Sequence, residues 1–227
     1  MRWMRVAAVA VVVLATGATT SMARADEWNS NGPLAFTGSA GASRLIIHGP
    51  SGDAAYDCTA STGRGTLNPS PAMDPNPWLS AASLTPAFSG CTVAGTPFTR
   101  TCATATLRTG TGPGAYSGGT TLATADGGVT SGSLASISCQ LKIGTTTCST
   151  VTGTVQTTYT NPTPPSTAGK LTVLAAGQNL TATGTACAAI PQGSANFGSP
   201  SVPPGNLVYN VTSPASPASQ PYVWYGI

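Results

Sequence analysis

Apolar and polar residues alternate strictly through Ile137-Ser138-Cys139-Gln140-Leu141-Lys142-Ile143. That period of two places the four apolar side chains on one face of an extended strand. A second run, Cys148–Tyr159, puts Val151, Val155 and Tyr159 on one parity, and Gly144–Thr147 turns the chain between the two. Nowhere beyond residue 26 do apolar residues recur over a long stretch at helical spacing; short β-type runs are cut by Gly, Pro, Asn and Asp instead. Arg44–His48 (RLIIH) reads as a strand entering a Gly49-Pro50 turn, and Ala55–Ala60 as one carrying the first cysteine. Ala87–Val93 and Phe98–Arg108 flank Ala94–Pro97, a hairpin connection. Leu171–Leu174, Leu180–Ala186, Leu207–Val211 and Pro221–Tyr225 complete the expected strands.

Loops are set by proline and glycine. Residues 66–82 hold four prolines, each of which removes a ladder donor, so no central strand fits the whole stretch. Gly110–Gly119 reads as a glycine-rich loop and 161–165 (NPTPP) as a break. The pattern predicts an all-β, antiparallel sandwich or jelly-roll-like single domain. Threonine dominates its strands because a β-branched side chain fits the pleat while its hydroxyl keeps the outer face wet.

The N-terminus changes the compartment. Arg2 and Arg5 precede an apolar run from Val6 to Ala15, and Ala23-Arg24-Ala25 supplies a small-x-small site. This is the layout of a secretory signal peptide, residues 1–25, leaving a single secreted domain over 26–227. The apolar run is half of the roughly 20 residues a bilayer-spanning helix needs. The chain's formal charge of +3 resides in Arg2, Arg5 and Arg24. Beyond them, Arg44, Arg64, Arg100, Arg108, Lys142 and Lys170 are scattered singly and balanced by Asp26, Glu27, Asp53, Asp57, Asp74 and Asp126. Nucleic-acid binding draws its affinity from clustered cations, so that partner is excluded.

Six cysteines, Cys58, Cys91, Cys102, Cys139, Cys148 and Cys187, follow the export signal. An even set in that setting predicts disulfides. Metal ligation is disfavoured, since no C-x-x-C occurs and His48 is the single histidine. Short turn-bearing segments suggest the pairs Cys91–Cys102 and Cys139–Cys148, with Cys58–Cys187 as the long-range staple.

Several stretches carry a resemblance. Cys58-Thr-Ala-Ser61 with Gly65-Thr-Leu67, Phe88-Ser-Gly-Cys91, Thr150-Val-Thr-Gly-Thr154, Gly169–Leu174 with Gly177-Gln-Asn-Leu180, Cys187 and Tyr209–Pro214 are similar to a group of small exported proteins of high-GC Gram-positive bacteria. The resemblance spans residues 34–214. It implies export, a β-fold and disulfides; the group has no assigned activity, so it implies no site.

Candidate chemistry is sparse. A serine triad needs a histidine base beside the nucleophile, and His48 sits in an apolar strand with no G-x-S-x-G motif anywhere. Glycoside hydrolysis needs two carboxylates within about 5–9.5 Å, whereas Asp53 and Asp57 on one strand lie roughly 13 Å apart. The same two aspartates are weak Ca²⁺ candidates. Gly110-Thr-Gly-Pro-Gly114 lacks the Lys-Ser/Thr ending of a phosphate loop. Aromatics offer more: Trp78, Tyr222, Trp224 and Tyr225 are candidate sugar-stacking platforms.

The sequence thus predicts a non-catalytic, extracellular or envelope-associated binding or structural domain, with no catalytic residue, metal or cofactor assigned. A cell-envelope polymer or another extracellular protein is the expected partner. The alternative is an extracellular hydrolase of envelope or polysaccharide. A lesser one is a protease inhibitor or antimicrobial factor presenting loop 94–97 or 110–119.

Overall fold

The computed structural model describes residues 27–69, 80–109, 116–117, 126–184, 186–187 and 190–226. The expected signal peptide and Trp78 lie outside the described residues. Within them the fold is antiparallel β, with three disulfides and no α-helix.

The strands follow one another round a ring. Strand β1 (Glu27–Ala40) continues after two residues as β2 (Ser43–Gly49), and both lie along the single long strand β3 (Gly52–Pro69). Strand β4 (Ser80–Val93) pairs with β3. A broken stave follows: β5 (Thr96–Pro97), β6 (Thr99–Cys102) and β7 (Ala105–Thr109) line β4, and β6 and β7 also line β9 (Val129–Ile143). Short β8 (Tyr116–Ser117) flanks the start of β9. Strand β10 (Thr146–Thr160) runs back along β9. Strands β11 (Lys170–Val173) and β12 (Asn179–Thr183) share the next stave, and β14 (Leu207–Ser213) and β13 (Gly193–Gly198) lie against them respectively.

The last pairings decide the architecture. Strand β13 pairs with β2 and β14 pairs with β1. The sheet therefore returns to its first stave, and eight antiparallel staves in chain order make a closed up-and-down barrel. The expected all-β stapled domain is present, but its layering comes from one sheet closed on itself rather than two stacked sheets. Closure leaves the wall without free edges.

The alternation expected over Ile137–Ile143 is present: Cys139 and Leu141 are buried, and Ile137 and Ile143 pack against the core. Upstream the inward parity shifts to Leu134, because Ser136 (φ +58°) forms a bulge against β10. Two-residue turns close the β2–β3, β4–β5 and β9–β10 hairpins at one end of the barrel. In the second of these Ala94 and Gly95 both have positive φ, as a type I′ turn requires. Outward positions such as Thr62, Thr66, Thr85, Thr101, Thr152 and Thr181 are exposed. Apolar-in and hydroxyl-out is the reverse of the lipid-facing pattern of membrane barrels. No helix among the described residues is long and apolar enough to cross a bilayer.

The disulfide pairing differs from expectation. The bonds are Cys58–Cys91, Cys102–Cys139 and Cys148–Cys187, not Cys91–Cys102, Cys139–Cys148 and Cys58–Cys187. Register is the reason. Cys58 lies directly opposite Cys91 on β3–β4, and Cys102 opposite Cys139 on β6–β9, each with Cα atoms 4.0 Å apart. Cys91 faces Phe98 across its own hairpin, so Cys102 is four residues, or about 13 Å, too far along the strand. Cys139 likewise faces Val151, beyond reach of Cys148.

At the other end, the C-terminal tail plugs the barrel. A 3₁₀ turn (Pro217–Ser219) leads into β15 (Val223–Gly226), which pairs with residues 27–30 of β1. Val223 packs with Leu67 and Ala82 of facing staves. Gln220, 1% exposed, bonds the Gly169 amide and the carbonyls of Val211 and Pro214. The Asn31 amide accepts from Tyr222 N and donates to Gln220 O.

Candidate ligand-binding interior

The residues singled out for catalysis face outward on the β2–β3 hairpin. His48 stands opposite Asp53, with Nδ1 2.9 Å from Oδ1, and its Nε2 is 3.1 Å from the Asn196 amide. Arg44 stands opposite Asp57 and grips it with two bonds, Nε–Oδ1 at 2.6 Å and Nη2–Oδ2 at 2.9 Å. That grip raises the Arg44 pKa above its ordinary value. The two aspartates thus have different partners, each a cross-strand pair on the outer wall. Among the described residues no three His, Cys, Asp or Glu side chains gather as metal ligands.

Of the aromatic candidates, Tyr222 is half-buried and tied down: its hydroxyl donates to Asp126 Oδ1 at 2.9 Å. Burial first, then the bond and charge of Asp126, push that phenol up to about 12. Trp224 and Tyr225 belong to β15, whose backbone pairs with Asn29 and Trp28. The tail is therefore a docked strand that closes the barrel.

The interior holds what the sequence reading missed. Arg100 is 93% buried at the waist of the barrel, being 7% exposed. It is on the inward parity of β6 with Phe98 and Cys102, while Thr99 and Thr101 face out. That alternation, Phe-Thr-Arg-Thr-Cys, was the available signal: whatever buries the phenylalanine also buries the arginine. The guanidinium carbon sits over the Phe88 ring at 4.1 Å from its centroid and over Phe197 at 4.7 Å. The two rings meet edge to face, 5.7 Å apart at 88°, and form an aromatic corner around the cation.

Ring faces attract a desolvated cation by about 2 kcal/mol, but they satisfy no N–H. Nε and Nη1 of Arg100 are fully buried without a hydrogen-bond partner among the described residues. Nor is there an acidic counter-ion among the described residues: Asp53 and Asp57 are paired on the outer wall and Asp126 bonds Tyr222. Each unmet buried donor costs roughly 1–3 kcal/mol. Burial lowers the Arg100 pKa to about 10, which still leaves the group cationic at neutral pH. Beside it stands Tyr209, and the buried Ser61 hydroxyl lies next to Tyr209, outside good hydrogen-bond geometry. Burial holds the Tyr209 phenol above its ordinary pKa, with Ser61 and Arg100 pulling the other way.

Below this layer, toward the tail, lies a cavity of about 50 Å³. Phe36, Leu67, Leu84, Leu107, Leu171 and Val223 belong to its apolar lining, and Tyr209 forms part of its wall. A single water needs only about 10–15 Å³. An eight-stranded barrel is just wide enough to be filled by side chains or to hold one small ligand, and here the filling stops short.

No protein-family model matches the chain, and no curated protein or solved structure matches it.

Proposed function

We propose that this chain is a non-catalytic, exported binding protein whose site is the inside of the barrel. The observation that carries this reading is the apolar cavity that the barrel's own side chains leave unfilled. A wall with no free edges and three staples supports a rigid container, and pre-organisation of that kind lowers the cost of binding. Export is supported by the N-terminal signal pattern and by the use of all six cysteines in disulfides. The outer wall carries hydroxyls and isolated ion pairs, which suit solvation better than turnover.

The test is a titration of the folded mature protein with xenon, followed by amide chemical shifts. Apolar cavities bind xenon, and about 50 Å³ is a third of the roughly 150 Å³ known to take benzene. Saturable shifts at Gly38, Gly132 and Leu171 are expected, and they are expected to vanish in Ala82→Leu, which fills the cavity from β4. Shifts confined to the outer wall, or an undiminished response in Ala82→Leu, would refute an interior site.

A further inference from the structure

We propose that the barrel mouth is a peptide socket, and that residues 220–226 of a second copy of this chain dock there in exchange for the chain's own tail. This holds whether or not the cavity takes a ligand. The mouth treats the tail as a bound peptide, and four successive residues each have a seat. The Gln220 side chain accepts from the Gly169 amide at 2.8 Å and donates to the carbonyls of Val211 and Pro214 at 3.2 and 2.9 Å. The Pro221 carbonyl accepts from the Tyr159 hydroxyl at 2.8 Å. Tyr222 is held twice, its amide donating to Asn31 Oδ1 and its hydroxyl to Asp126. Val223 exchanges two bonds with the Asn161 side chain and packs on Leu67 and Ala82. Strand β15 then pairs with residues 27–30. Main-chain bonds for affinity and side-chain seats for specificity are how a sheet edge recognises an extended peptide.

The link between wall and tail can open without exposing core. None of residues 212–219 is buried. Ser216 is already extended, with φ −75° and ψ 123°, and Pro214 and Pro217 disfavour the helical region for the residues before them. Two backbone bonds, Ser219 N to Ser216 O and Gln220 N to Pro217 O, keep the 3₁₀ turn bent. Apolar anchoring is slight, since Val223 belongs to a buried cluster of three residues set apart from the main core. The occupant is chosen by the seats. They fit Gln220-Pro-Tyr-Val223 in that order, and a second copy carries the same four residues. Exchange in both directions gives a closed two-fold dimer in which each tail bond of the monomer is made again.

Two measurements on the intact disulfide-bonded protein test this. The first follows a fluorescent synthetic peptide of residues 214–226 by anisotropy. Gln220→Ala weakens the chain's own tail and leaves the socket whole, so it is expected to bind the peptide at least about tenfold tighter than wild type, the scale of one lost buried hydrogen bond. Adding Asn161→Ala to that variant is expected to abolish the binding; circular dichroism checks that both variants fold. The second needs no variant. A short tether holds its segment at a millimolar effective concentration, so sedimentation of wild type is expected to show monomer at about 10 μM and a share of dimer at about 1 mM. Excess peptide is expected to dissolve that dimer. Equal peptide affinity in wild type and Gln220→Ala, or binding that survives Asn161→Ala, would overturn the socket. A monomer at about 1 mM, or a dimer that the peptide leaves intact, would overturn exchange between copies.

Discussion

Asn161 binds Val223 as a neighbouring strand would: its Nδ2 donates to the Val223 carbonyl at 2.7 Å and its Oδ1 accepts from the Val223 amide at 3.0 Å. Asn161 is 1% exposed and Val223 5%, so the tail is held to the barrel mouth by a side-chain amide in a dry place. Replacing Asn161 with Ala leaves a buried backbone donor and acceptor unmet, at roughly 1–3 kcal/mol for each. A stability loss of about 2–6 kcal/mol in urea is expected. Amide exchange should quicken at residues 220–226 before the rest of the barrel. Exchange that quickens uniformly would show that the tail does not open on its own.

The disulfides give a second expectation. Each closes a long loop, with sequence separations of 33, 37 and 39. Loops of that size restrict the unfolded chain by about 3–4 kcal/mol. The double replacement of Cys102 and Cys139 by Ala should cost that much in urea unfolding. Non-reducing peptide mapping should recover Cys58 joined to Cys91; Cys58 joined to Cys187 would contradict the register of β3 and β4.

High pH should unfold the protein through its phenols. Burial pushes Tyr56 up to about 12 and Tyr222 to about 12, and raises Tyr159 and Tyr209 as well. Native phenols that keep protons the unfolded chain releases stabilise the fold fully below pH 10, and that stability is lost as pH rises toward the native values. Arg100 acts with the opposite sign, since its lowered pKa relieves a burial cost as it deprotonates above pH 10. Four phenols outweigh one guanidinium, so stability should fall between about pH 10 and 12. Absorbance at alkaline pH should show these tyrosines ionising with unfolding; ionisation of all phenols near pH 10 in the folded state would contradict their burial.

Backbone geometry singles out Gly153. Its φ is +139°, and a Cβ there would collide with the Asn179 carbonyl of β12. Few residues other than glycine adopt that conformation. Gly153→Ala is expected to cost at least about 2 kcal/mol, read as a lowered denaturation midpoint. A midpoint within error of the wild type would mean that β10 and β12 part without penalty.

The outer pairs should matter little. Asp57 has a 43% exposed side chain and Asp53 a 61% exposed one, and exposed pairs contribute about 0–1 kcal/mol. Asp53→Asn and Asp57→Asn are expected to shift stability by less than about 1 kcal/mol and to leave xenon uptake unchanged. A large loss of uptake in either would move the site to the outer wall.

Much of the strand content was legible. Arg44–His48, Ile137–Ile143 and Leu207–Val211 all lie in strands, because period-two alternation survives wherever one face is wet and the other dry. Strand β1 and Gly193–Gly198 were missed: both are rich in small or polar residues and carry little contrast. Register signals came from short turns, the one joining β9 to β10 and the hairpin connection at Ala94–Pro97. The disulfides join positions that no short turn connects, with sequence separations of 33, 37 and 39, so turn proximity misled. Asn161, in the expected proline-rich break, gave no local sign of a tail some sixty residues away.

What the chain determines by itself is local: which side of each strand is apolar, where the backbone turns, and that the cysteines are even in number behind an export pattern. Parity even dictated that Arg100 would share the face of Phe98. Tertiary structure alone decided that the sheet closes, since Gly38 meets Val211 only when the last long stave reaches the first. It also decided that, among the described residues, no carboxylate stands opposite Arg100 inside. Both outcomes depend on register between residues distant in the chain, which side-chain pattern constrains only to one face or the other.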